Sequence, residues 1–188
     1  MEILRKNKKK ILIGLMIFIS VSLILVSLYF GGKKYIASKI TLGTDLYERI
    51  HNLYFYGDQL EYEQVEEKYK LLNYEKIPEL ISKKFLPQVN QYLEITKQKD
   101  EYYINIVGKG ISNYYGTELK IKKIRRNKVI YTATTKMCKV ESVVTYGERC
   151  SMGGYYYIEK PFIIVKENGS WKVDEYTSVF EFSDSEIK

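Results

Sequence analysis

The chain has 188 residues, 45% hydrophobic and 28% charged, with three prolines and twelve glycines, a balance that excludes a disordered tail and a collagen-like repeat. Its formal net charge of +7 is uneven: residues 1–30 carry five cations (Arg5, Lys6, Lys8, Lys9, Lys10) against Glu2, while the rest carries 25 cations against 22 acids. The larger part is thus only mildly basic, and nucleic acid is not expected as its main partner.

Ile11 to Phe30 (ILIGLMIFISVSLILVSLYF) is twenty residues without a charge. At about 1.5 Å per residue such a helix crosses a hydrocarbon core ~30 Å thick. Its polar members, Ser20, Ser22 and Ser27, can bond back to carbonyls of the same helix, and Tyr29 and Phe30 stand where an aromatic belt is expected. Five cations precede the span and Lys33, Lys34 and Lys39 follow it, which favours a cytoplasmic N-terminus. A cleaved signal peptide would have a shorter apolar region and a small-residue site, which GGKKYIAS does not supply. A lipoprotein needs a cysteine directly after the span, and the first is Cys138. Pilin-type subunits resemble one another in a glycine-aromatic junction and a glutamate within the span, both missing here. The expectation is a retained single-pass anchor in the cell membrane: a cytoplasmic tail over 1–10, a span over 11–30, a linker over 31–42, an extracytoplasmic domain over 43–182 and a tail over 183–188.

After the span a helical half comes first. Gly43 and Thr44 predict a helix starting at Asp45, with Leu46, Ile50, Leu53 and Tyr54 on one face and Gly57 as the stop. A second helix is expected over Tyr62 to Leu72. A third begins near Glu75, with Ile77, Leu80, Ile81, Phe85 and Leu86 at helical spacing. Pro78 is tolerated in its first turn, Pro87 bends or ends it, and Val89, Leu93 and Ile95 continue the apolar pattern.

From Tyr102 the period shifts towards two, predicting strands at 102–107, 117–126, 128–140, 155–167 and 171–182. Asn127 marks either a tight turn or one continuous bent strand. Asn168-Gly169 supplies the positive φ angles of a type I′ turn, so 155–167 should pair with 171–182. The same residues form an N-x-S sequon with Ser170, ranked below the turn. Trp171 and Val173 share one parity and Tyr176, Phe180 and Phe182 the other, which a bulge near Asp174 and Glu175 reconciles. Helices followed by strands imply an α+β domain of N-terminal helices packed on a curved antiparallel sheet.

This element order, closing with FIIVKENGSWKVDEY, resembles the nuclear transport factor 2-like (cystatin-like) superfamily over roughly residues 43–182, chiefly in the Gly169-Ser170-Trp171-Lys172-Val173 hairpin. The resemblance implies a curved sheet wrapped around a long helix to form a cone-shaped cavity. With a short cytoplasmic tail and one span, the architecture is also similar to small bitopic assembly subunits of type IV secretion and Gram-positive conjugation machines.

Cys138 and Cys150 are the only cysteines. They flank a segment linking two predicted strands, a natural disulfide in an oxidising compartment, worth up to about 3 kcal/mol on the chain-entropy model; two reduced thiols are the alternative. With His51, the only histidine, they fall short of a four-ligand metal site. His51 should lie beside Tyr47 and Phe55, with Asp58 seven positions on, and no nucleophile is implied. Since no phosphate loop, G-x-S-x-G elbow or H-E-x-x-H pair is present, neither a cofactor nor an enzyme is expected. Lys120, Lys122, Lys123, Arg125, Arg126 and Lys128 form a cationic cluster suited to an anionic partner. Its plainer reading is a solvated hairpin charged against edge-to-edge pairing. Nineteen tyrosines, among them Tyr114, Tyr115 and Tyr155 to Tyr157, are strand formers first and interface anchors second. The expected role is a non-catalytic docking domain for other envelope proteins, possible as a homo-oligomer, with a ligand-binding or catalytic cone pocket as the alternative.

Overall fold

The computed structural model describes residues 2–55, 57, 60–104, 114–138 and 155–177, with side chains from Met16 onward except Tyr115 and Cys138. The fold is α+β, with a long N-terminal helix and two antiparallel sheets. The chain divides into two compact units, Met1–Lys39 and Ile40–Lys188.

The first unit is helical throughout its described residues and belongs to α1 (Glu2–Phe55). Its apolar side chains from Met16 to Phe30 are bare: Phe18 is 72% exposed and Leu28 67%. Ser20 Oγ donates back to the Met16 carbonyl at 2.9 Å, the local bond expected of a hydroxyl with no polar neighbour. Lys33 Nζ lies 4.5 Å from the centroid of the Tyr29 ring. Among the described residues, Met16–Phe55 is long and apolar enough to include a membrane crossing.

The second unit holds the core. Here α1 runs on through Gly43 and Thr44, so the predicted linker over 31–42 is helical and no new helix starts at Asp45. Gly43 serves another purpose, since a Cβ at that position would stand 2.5 Å from Cζ of Tyr131; the glycine lets the helix backbone approach the sheet. The expected face is buried as a unit, with Leu46, Ile50, Leu53 and Tyr54 each no more than 5% exposed.

The helix expected over Tyr62 to Leu72 is instead a hairpin, β1 (Tyr62–Val65) and β2 (Lys68–Leu71), turned through Glu66 at φ 57°. Tyr62, Val65, Tyr69 and Leu72 have helical spacing, yet Tyr62, Val65 and Leu72 remain exposed, so that stripe had nothing to pack on. What decides the conformation is a distant partner: β2 pairs with β4 (Glu101–Ile104), setting Tyr69 opposite Ile104. Then β3 (Thr96–Gln98) completes a sheet ordered β1-β2-β4-β3.

The third expected helix is two short ones, α2 (Lys76–Leu80) and α3 (Leu86–Tyr92). Its apolar residues are buried as the spacing implies, Ile77, Leu80, Ile81 and Phe85 all at 4% or less. Continuity fails at Ile81, which is extended (φ −106°, ψ 139°) and forms a parallel bridge with Val173, while Ser82 N–H donates to the Val173 carbonyl at 2.8 Å. The Ser82 carbonyl then accepts from Phe85 and Leu86 at 3.1 and 2.9 Å, and its Oγ from Phe85 N–H at 3.2 Å. This starts a second helix, and Pro87 sits in its first turn, where a missing N–H costs nothing.

The second sheet is a meander, β5 (Tyr114–Arg125), β6 (Lys128–Cys138), β7 (Tyr155–Glu167) and β8 (Ser170–Glu175), in that spatial order. Arg126 and Asn127 form a two-residue turn, resolving the two readings in favour of the turn. Asn168 and Gly169 have φ 50° and 85°, as a type I′ turn requires. The register shifts between Ile163 and Ile164, with Ile163 opposite Glu175 and Ile164 opposite Val173. Asp174 is therefore the extra residue of a bulge, and Val173 and Asp174 are both buried. The strand expected over 171–182 ends at Glu175; its residues 178–182, with 105–107 and 139–140, lie outside the described residues.

Candidate functional site

Two features of the second unit meet along β5: a cleft on its core side and a row of cations on its outer side. The cleft, about 390 Å³, is lined from α1 by Thr44, Tyr47, Glu48, His51 and Asn52, and from β5 by Tyr114, Gly116, Thr117 and Leu119. A hollow of about 420 Å³ elsewhere is bounded by Tyr54, Phe85, Gln88, Gln91, Tyr92 and Tyr176.

His51 is 3% exposed and packed among rings: its centroid is 4.1 Å from Tyr114, 4.5 Å from Phe55 and 6.1 Å from Tyr47. The neighbours Tyr47 and Phe55 were legible from helical spacing; Asp58 lies outside the described residues. Nδ1 is 3.1 Å from the Tyr176 hydroxyl. Burial lowers the imidazole pKa from 6.5 to about 4 because the cation loses hydration that the aromatic cage does not replace. His51 is therefore neutral near pH 7, and its basicity is well below that of a base tuned for neutral-pH catalysis.

Beside it, Thr117 Oγ1 donates to Tyr47 Oη at 3.2 Å, Tyr47 Oη and Thr135 Oγ1 are 3.4 Å apart, and the two threonine hydroxyls are 2.8 Å apart. With one hydrogen per hydroxyl, the donations Thr117 to Tyr47, Tyr47 to Thr135 and Thr135 to Thr117 close a ring, into which Tyr114 donates at 3.2 Å. Burial raises the Tyr47 and Tyr176 phenol pKa values, so both remain protonated. At neutral pH the protonated phenols and the neutral imidazole can each donate and accept hydrogen bonds. Thr117, Thr135 and Tyr176 were not singled out from sequence as neighbours of His51, since they lie 66, 84 and 125 positions away and only the sheet register brings them together.

The cationic cluster lies along β5, the end strand of its sheet among the described residues. Leu119, Ile121 and Ile124 oppose Ala133, Tyr131 and Val129 on the core face. Lys120, Lys123 and Arg125 oppose Thr132, Ile130 and Lys128 on the other, and Lys122 is the extra residue of a bulge between Ile121 and Lys123. Lys120, Lys122, Lys123, Arg125 and Arg126 are exposed. Lys128 differs: it is half-buried, with Nζ 3.7 Å from Asp174 Oδ2. Asp174 also accepts from Ser82 Oγ at 2.8 Å and pairs with Lys84 at 3.6 Å, so Lys128 is tied to the bulge. Lys120 lies 3.8 Å from Glu118.

Cys138 ends β6 with its backbone opposite Tyr155; Cys150 and the expected disulfide lie outside the described residues. No group of three or more His, Cys, Asp or Glu side chains is placed to hold a metal among the described residues. No protein-family model matches the chain, and no curated protein matches it.

Proposed function

We propose that the protein is a single-pass membrane protein whose C-terminal unit is an extracytoplasmic, non-catalytic docking domain, a structural or assembly subunit of a bacterial envelope complex of the secretion or conjugation kind. The observation that carries the reading is the bare apolar stretch of α1. Side chains from Met16 to Phe30 are exposed along a run with no charge, and burying them in lipid is worth roughly 25 cal/mol per Å² of apolar surface. The cations before the span favour a cytoplasmic N-terminus. A cystatin-like assignment of the domain draws its support from the helix laid on the β5–β8 meander and from the Asn168-Gly169 hairpin.

Docking is favoured over chemistry because the aromatic rings around His51 pack on one another and the hydroxyls beside it bond among themselves. The second reading, a ligand-binding or catalytic cone pocket, rests on the cleft that His51 and Tyr47 line. Crosslinking in intact membranes followed by recovery of the full chain tests the first reading. Recovery of defined envelope proteins is expected; a chain that captures none, while a small ligand shifts its unfolding midpoint and His51→Ala abolishes the shift, would replace docking by the pocket.

A further inference from the structure

We propose that the open edge of β5 docks an extended segment of a partner protein in which acidic side chains alternate with apolar ones. This deepens the docking reading and rests on it, naming the partner's chemistry.

Three observations converge on that edge. First, β5 has β6 on one side and no strand on the other among the described residues, so alternate residues direct N–H and C=O groups to an unpaired edge. Between irregularities at Tyr114/Gly116 and Ile121/Lys123, the register is continuous from Gly116 to Ile121, which gives an added strand a regular stretch to follow. Second, the cleft lies on the core side of this stretch, where Tyr47, Tyr114 and Leu119 give it apolar surface and Thr44, Glu48 and Asn52 a polar side on α1. An added strand sends every second side chain to each face of the sheet, so its inward apolar side chains would enter the cleft. Third, the opposite face of this stretch carries Lys120 beside Glu118, and immediately past the bulge Lys122, Lys123, Arg125 and Arg126 are exposed, so the cations outnumber the acid along the strand and its turn. The other side chains of the strand meet this positive field, and acidic ones suit it.

A second copy is the simplest alternative occupant. Paired antiparallel about Ile124 it would set Lys123 against Arg125, a destabilising juxtaposition; paired about Leu119 it would set Glu118 against Lys120 and meet no such penalty, so crosslinked dimers of the full chain in micelles that the peptide does not dissociate would overturn the proposal. An acidic, alternating strand meets Lys120, Lys123 and Arg125 with opposite charge. Main-chain bonds would supply affinity, and the cleft and cations selectivity, as in other strand additions.

The test uses the full chain in detergent micelles and a short fluorescent peptide of alternating glutamate and phenylalanine. An otherwise identical peptide is N-methylated at alternate residues, keeping its charge but not its main-chain donors. The proposal expects saturable binding of the first peptide, weakened about tenfold by methylation and by a similar factor in the K120E/K123E/R125E variant, which should instead bind a lysine-phenylalanine peptide. Methylated and unmethylated peptides binding the unaltered chain equally would overturn it, since that is a patch reading charge alone. So would binding of anionic phospholipid, presented in mixed micelles, that is tighter than the peptide's at matched charge. Because peptide binding in micelles is independent of membrane sidedness and of capture in cells, its failure is distinguishable from failure of the wider reading.

Discussion

Gly43 and Tyr131 are in contact so close that a methyl group on the glycine would stand 2.5 Å from Cζ and 2.7 Å from the hydroxyl of the tyrosine. The ring is 1% exposed and lies in β6, so it has nowhere to swing. Replacing a helix-interior glycine by alanine ordinarily gains ~0.5–1 kcal/mol, but overpacking a tight core costs ~1–3 kcal/mol. Gly43→Ala should therefore lower stability by about 1 kcal/mol or more in urea unfolding followed by Trp171 fluorescence. Gly31→Ala, where nothing lies within 4 Å, has no packing cost and should leave the transition unchanged or raise stability by up to ~1 kcal/mol. A Gly43→Ala chain as stable as the parent would mean that the helix does not approach β6 in this way.

His51 gives the fold a pH dependence of defined sign. Its pKa is 6.5 in an unfolded chain and about 4 in the fold, so between these values the unfolded state binds more protons. The His51 contribution to stability is thus held above pH 6.5 and declines as pH falls towards about 4, by up to about 3 kcal/mol. His51→Gln removes this titration while keeping an amide near Tyr176. Over that window the parent should lose more stability than the variant; parallel curves would contradict a buried neutral imidazole.

Asp174 should matter through Ser82 more than through its lysines. Asp174→Ala leaves the fully buried Ser82 hydroxyl without its 2.8 Å acceptor, a loss of about 1–3 kcal/mol. Lys84 is 72% exposed and 3.6 Å away, and Lys84→Ala should change stability by less than about 1 kcal/mol. Equal losses from the two variants, both abolished by high salt, would reverse the assignment and make the ion pair the dominant contact.

What the sequence disclosed was mostly local. Alternation and the Asn-Gly pair located β7, β8 and their turn, and the parity change along the last strand located the bulge at Asp174. The stripe Leu46, Ile50, Leu53 and Tyr54 identified the buried face of α1. Errors arose where a distant residue decides the outcome. Tyr62 to Leu72 satisfies helical spacing, but β4, some thirty residues on, supplies the partner that makes it a hairpin. Gly43 looks like a helix start because Tyr131, the reason for the glycine, is 88 positions away. The site was legible in part: the cations could be read as a run, but that Lys128 turns to Asp174, or that Thr117 and Thr135 meet Tyr47, depends on register.

The central claim is that residues 11–30 remain in the bilayer and hold the C-terminal unit outside the cytoplasm. Protease added to intact cells, with fragments followed through a cytoplasmic N-terminal tag, tests it most directly. The account predicts loss of the C-terminal unit and a protected, membrane-embedded N-terminal fragment that resists alkaline extraction. A C-terminal unit that survives in intact cells and is cut only after lysis, or a chain released from membranes by alkali, would contradict it.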